Sequence, residues 1–210
     1  LLFIPIYYYS TPLFEWIAAP LIAVLPEGTK MVAIQVASPF IVPFKLSAYC
    51  ALFIGIPFLL HQLWGFIAPG LYRHEKKFAY PLLFSSVVLF YCGISFAYYL
   101  VFPLVFEFFF NIAPNVAEVM PDITYYLDFI MKMFLAFGLA FEIPVATFLL
   151  AWTGISTADK MARKRPYVII GCFIVGMLMT PPDVVSQLLL AIPSWLLFEF
   201  GVIMARFVEK

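Results

Sequence analysis

Five apolar runs, at about 40–60, 78–106, 129–153, 167–180 and 188–204, are separated by short segments that hold most of the charge and turn-forming residues. Where water is excluded, such a run can satisfy its backbone polar groups only as a helix or a closed barrel, and unbroken runs of this length favour the helix. With 65% hydrophobic and only 11% charged residues in 210, the chain also has too little polar material to cover a water-soluble surface. It is therefore predicted to be an all-α integral membrane protein. Cys50, Cys92 and Cys172 fall singly within apolar runs, with no C-x-x-C and no metal-ligand spacing, and read as small buried hydrophobes.

The opening run 1–9 reaches only about 14 Å as a helix, against a hydrocarbon core of about 30 Å. The first of six spans is accordingly expected to be truncated here, with its preceding segment missing. The basic residues sort by loop. Segments 63–77, 152–166 and 205–210 hold Arg73, Lys76, Lys77, Lys160, Arg163, Lys164, Arg165, Arg206 and Lys210, whereas the alternate segments 10–39, 107–126 and 181–187 hold only Lys30. By the positive-inside rule this places both termini in the cytoplasm. Glu15, Glu27, Glu107, Glu118, Asp122 and Asp183 fall on the opposite side. With no internal repeat, linker or low-complexity tail, 1–210 reads as one transmembrane domain.

Two features bear on shape. The run 167–180 has 14 residues before Pro181-Pro182, roughly 21 Å of helix, and predicts local bilayer thinning or water entry. The run 188–204 is the second short C-terminal span. Prolines at 43, 57, 81, 103, 144 and 193 lie in or beside spans, where each removes a donor and tends to kink the helix. The expectation is a concave, proline-kinked arrangement.

Glu142, in A-F-G-L-A-F-E-I-P, lies deep in the fourth span. A charge there costs about 2.5–3.5 kcal/mol even on the lenient insertion scale, so it must face protein or water. It is either a protonated carboxyl bonded to a neighbouring helix or a polar point that meets a substrate or partner. Lys45, Lys132, Asp128 and Glu199 each lie near a span end and read as snorkelling side chains. Gln187 and Asp183, beside the short span, either anchor the loop or hydrogen-bond an incoming helix. The cluster at 163–165 sets topology and attracts anionic lipid. Glu75 stands in the basic loop F-I-A-P-G-L-Y-R-H-E-K-K at 66–77. Exposed pairs with its neighbours are worth only about 0–1 kcal/mol, which leaves it available to a bidentate guanidinium.

Enzyme signals are missing: the sequence has no G-x-x-x-x-G-K-[ST], H-E-x-x-H or G-x-S-x-G, and His61 and His74 have no metal set. No cofactor is called for, and without a net basic patch the aromatic residues do not make a nucleic-acid surface.

The stretches at 66–77 and 136–144, R-K-R-P-Y at 163–167, T-P-P-D-V-V-S-Q at 180–187, A-A-P-L at 18–21 and A-S-P-F at 37–40 together resemble the TatC family, the polytopic subunit of the twin-arginine protein translocase, proteobacterial type. The resemblance implies a bacterial inner-membrane receptor for signal peptides with two consecutive arginines. It implies single-span TatA and TatB partners, multiple copies per complex, and export of folded proteins driven by the proton motive force. Carried over by motif, Phe66 and Glu75 match signal-peptide-binding positions and Glu142 the intramembrane glutamate. Met177, Thr180 and Gln187 match positions around which partner helices dock, and Pro20, Tyr98 and Asp183 match other functionally sensitive positions. The family's N-terminal cytoplasmic Glu-Leu-Arg element has no counterpart in the sequence. Two readings compete: a proton-coupled transporter with Glu142 as carrier, and an inert membrane anchor in which both acids are structural.

Overall fold

A computed structural model describes residues 3–25, 29–67, 76–112, 120–180 and 183–208. Among these the regular elements are helices. They run α1 (Phe3–Tyr8), α2 (Ser10–Ile22), α3 (Ser38–Ile67), α4 (Lys76–Phe96), a π-helical segment (Ala97–Val101), α5 (Phe102–Ile112), α6 (Ile123–Ala140), α7 (Ile143–Trp152), α8 (Ala158–Arg163), α9 (Arg165–Met179) and α10 (Val184–Val208). Among the described residues four stretches are long and apolar enough to cross a membrane: Ser38–Gly65, Tyr80–Asn111, Ile123–Trp152 and Val184–Phe207. Arg165–Met179 is a shorter apolar helix. All five coincide with the apolar runs of the sequence.

Proline explains the interruptions inside two of these stretches. Pro103 cannot donate to the carbonyl of Tyr99, and just before it the bonding widens, with Phe102 N–H reaching Ala97 O five residues back. Pro144 likewise cannot serve Ala140, and α6 gives way to a tight turn before α7. Thr180, which precedes Pro181, is extended at φ −99° and ψ 159°, as the residue before a proline prefers, and α9 stops there.

The expectation of two short C-terminal spans holds for one of them. At 15 residues α9 is about 22 Å long. The second is corrected: α10 has 25 residues, about 37 Å, because Asp183 caps a helix that begins at Val184, four residues before the expected start, and it continues through Arg206 to Val208. The cysteines are corrected too. Cys50 and Cys172 are half-buried and Cys92 is exposed, because outward faces of spanning helices need no protein to cover them.

The chain divides into two compact units, one of Leu1–Ile56 and Phe96–Met133, the other of Pro57–Ser95 and Phe134–Lys210. In the first, α2 packs on α5, and Ile17 and Leu21 of α2 and Val105 and Phe106 of α5 are buried. The segment before α3 is tied to the start of α6 by Val32 N–H to Pro121 O at 2.9 Å and Ile123 N–H to Val32 O at 3.0 Å. In the second, α7, α8 and α10 enclose Ala151, Ala158, Met161, Phe198, Val202 and Ala205. Gly201 permits the α7–α10 approach. A Cβ there would collide with the Thr147 hydroxyl and lie 3.0 Å from Pro144 Cα.

Candidate functional site

Glu142 lies in the turn between α6 and α7, inside the apolar stretch Ile123–Trp152. With Pro144 unable to continue the ladder, the chain tightens: Glu142 N–H donates to Leu139 O at 3.1 Å, and Ala146 N–H donates to Glu142 O at 2.9 Å. Three contacts along α4 and α6 determine what its carboxyl meets. Gly93 lies against Phe137, Phe90 against Gly138, and Ser86 against Glu142, an antiparallel ladder of residues on one face of each helix. A Cβ on Gly93 would stand 2.5 Å from the Phe137 carbonyl oxygen, and one on Gly138 would stand 2.5 Å from Phe90 Cε2. Both glycines are therefore needed for the helices to approach this closely. At the end of the ladder the Ser86 hydroxyl donates to Glu142 Oε2. Oε1 is buried and has no hydrogen-bond partner among the described residues, so the carboxyl retains capacity for one more bond.

A second polar cluster joins the end of α9 to the start of α10. The Thr180 hydroxyl and amide both donate to Gly176 O at 2.8 Å. The Gln187 side-chain amide donates to Phe173 O at 2.9 Å, and a Cβ on Gly176 would be 3.0 Å from Gln187 Cγ. Asp183 Oδ1 accepts from Ser186 N–H at 2.7 Å and caps α10. Of the three expected docking positions, Thr180 and Gln187 thus meet around Gly176, while Met177 points outward at 60% exposure.

Pro20 is inside α2, and the Tyr98 hydroxyl donates to Trp16 O in the same helix at 2.7 Å. Phe66 belongs to the last turn of α3, and its side chain lies outside the described residues, as do Glu75 and the rest of 68–75.

Several charged groups read as independent snorkelling side chains are paired instead. Lys45 Nζ donates to both oxygens of Asp128 at 2.8 Å, and Arg165 holds Glu199 in a fork at 2.5 and 2.7 Å. Partners 83 and 34 residues apart in sequence have no local signature. Asp122, counted only as an acid of an outer loop, proves to be a connector. Its Oδ1 accepts from Thr124 N–H at 2.9 Å and Tyr125 N–H at 3.0 Å, and its Oδ2 accepts from Ile34 N–H at 2.9 Å. Burial opposes its ionisation, but the amides of Ile34, Tyr125 and Thr124, with the Thr124 hydroxyl, outweigh that and hold the carboxyl below its ordinary range. Ser86, Gly93 and Gly138 were also missed. The only available signal was a serine and a glycine seven residues apart, on one helical face.

The family model for the Sec-independent protein translocase protein TatC matches residues 1–193. The chain belongs to the TatC family. Among relatives, the Sec-independent protein translocase protein TatC of Haemophilus influenzae is 54% identical over 209 residues, covering 100% of this chain and 82% of that protein. The protein of the same description from Escherichia coli is 50% identical over 206 residues, covering 98% and 80%. A crystal structure described as the twin arginine translocase receptor TatC matches with a TM-score of 0.87 and 34% identity, covering 96% of this chain and 89% of that one. As a TatC-family member the chain is a multi-pass translocase subunit of the inner membrane and not a catalytic enzyme.

Proposed function

We propose that this chain is the receptor subunit of the twin-arginine translocase, binding signal peptides with two consecutive arginines and assembling with TatA and TatB in several copies to export folded proteins on the proton motive force. The observation that carries this reading is the family match over residues 1–193, which takes in the 66–77 loop and all the other matched positions. In this reading Glu75 receives a signal-peptide guanidinium in a two-pronged, charge-assisted pair, and Phe66 packs against the adjacent apolar residues. Glu142 presents its unpartnered oxygen to the signal or a partner helix. Met177, Thr180 and Gln187 form a docking surface at the end of the short span, and Pro20, Tyr98 and Asp183 hold the backbone around these sites.

The proposed topology has six spans in a concave, proline-kinked single domain over 1–210, both termini cytoplasmic, and the bilayer thinned beside α9. Nine basic residues on one set of loops against one on the other support that orientation. The test is site-specific photo-crosslinking between the 66–77 loop and a precursor bearing two arginines. Glu75→Ala is expected to abolish the crosslink at matched protein levels, as is a precursor bearing two lysines. A crosslink unchanged by Glu75→Ala would sink the assignment.

A further inference from the structure

Pro20 stands in the interior of α2. In an α-helix the carbonyl at position i accepts from the N–H at i+4. Proline has no N–H, so α2 has no donor of its own at that position for Trp16 O. The donor comes from elsewhere in the chain. The Tyr98 hydroxyl, 82 residues away in sequence, donates to Trp16 O at 2.7 Å, and the Tyr126 hydroxyl, 109 residues from Ile17, donates to Ile17 O at 2.8 Å. Both phenols are well shielded, at 8% and 6% exposure. The Tyr98 ring lies nearly parallel to the Trp16 indole, with centroids 4.6 Å apart and planes 12° apart, which fixes where its hydroxyl points.

We propose that Tyr98 supplies the hydrogen-bond donor that Pro20 removes, and that Tyr98 and Tyr126 are positioning residues that together dock α2. Any other residue at position 20 would let α2 satisfy its carbonyls internally, whether docked or not. With proline, the Trp16 carbonyl finds its protein donor when α2 lies against the π-helical segment that carries Tyr98. The bond is thereby moved from within one helix to between two, and the position of α2 becomes coupled to that of Tyr98. Pro20 and Tyr98 are thus two halves of one device, and Tyr126 adds a second tie to α2 at Ile17 O. This inference concerns the fold of the first unit and does not depend on how signal peptides are recognised.

Trp16-Ile17 is the one Trp-Ile step in the 210 residues, so labelling with carbonyl-13C tryptophan and 15N isoleucine isolates the Trp16 carbonyl in a single correlation. In the intact chain, Tyr98→Phe is expected to move that carbonyl resonance upfield, as loss of a donor requires. In a Pro20→Ala background, where the N–H restored at position 20 serves the carbonyl, Tyr98→Phe is expected to leave it in place. Tyr126→Phe, which removes a second donor from the Ile17 carbonyl, four residues before Leu21 in the same helix, is expected to move it far less than Tyr98→Phe does. Melting temperatures in the same detergent complete the cycle: Tyr98→Phe should lower the transition less than half as far in the Pro20→Ala background as it does with Pro20 in place. A Trp16 resonance unmoved by Tyr98→Phe, an equal movement caused by Tyr126→Phe, or an equal melting penalty in both backgrounds overturns the proposal.

Discussion

Gly93→Ala tests whether close approach of α4 and α6 is what presents Glu142. The added Cβ would stand 2.5 Å from the Phe137 carbonyl oxygen and 2.9 Å from its carbon, whereas ordinary contact begins at 3.4 Å. The obstacle is backbone, so no side-chain rotation relieves it, and the helices must separate by about 0.9 Å at this point, the shortfall between those distances. Overpacking of this kind costs about 1–3 kcal/mol. Strain on the Ser86–Glu142 bond two turns away adds about 0.6 kcal/mol, the typical worth of an interhelical hydrogen bond in a membrane protein. For a chain of this size each kcal/mol moves the transition by about 2–4 °C, so a total of about 1.6–3.6 kcal/mol should lower the thermal midpoint in detergent by about 3–14 °C. Gly171→Ala provides the contrast, because a Cβ there meets nothing within 4 Å. Helix propensity alone should make it neutral or stabilising by up to about 1 kcal/mol. The reasoning is refuted if scanning fluorimetry gives the two alanine variants the same sign of shift.

Glu142→Gln should retain most export if the carboxyl works by hydrogen bonding, since the amide still accepts from Ser86 and donates outward; complete loss of transport with the complex intact would instead support a proton carrier. Asp122→Ala should cost about 0.5–2 kcal/mol near neutral pH through loss of the α6 cap and the tie to Ile34. Because the folded pKa of Asp122 lies below its ordinary value of 3.8, its contribution is present in full above that value and is lost as pH falls through the lower folded value. The melting-temperature gap between wild type and Asp122→Ala should therefore be constant from neutral pH to about pH 5 and close only below the ordinary carboxylate range. Glu199→Ala should change stability by no more than about 1 kcal/mol despite the fork geometry, because the Arg165 side chain is 45% exposed, and added salt should shrink the difference further.

The helical class and the five apolar helices were legible because a bilayer demands runs of membrane length, and that demand is written residue by residue. Proline breaks were legible in part: Pro103 and Pro144 each mark an interruption, whereas α3, α4 and α10 continue through Pro43, Pro57, Pro81 and Pro193. The length of α10 was not, because an apolar run marks the part of a helix inside the hydrocarbon, whereas Asp183 and Arg206 show that the helix itself continues into polar sequence. Glu142 stood out from its cost alone, and the matched motifs named Pro20, Tyr98, Thr180 and Gln187 as positions of consequence.

What each of those residues touches could be decided only by packing. Ser86 and Glu142 are 56 residues apart, Tyr98 and Trp16 82, and Lys45 and Asp128 83, and helix periodicity carries no information about which face of one helix meets which face of another. That choice depends on side-chain volume at the contact. In α4 and α6 it falls to Gly93 and Gly138, whose lack of a Cβ lets the backbones close until a serine hydroxyl reaches the buried acid. The sequence thus specified a lone carboxyl in an apolar span, and it marked Pro20 only through the matched motif. The tertiary structure supplied their partners, because hydrogen bonds between helices form only where the packed surfaces bring donor and acceptor to within about 3 Å.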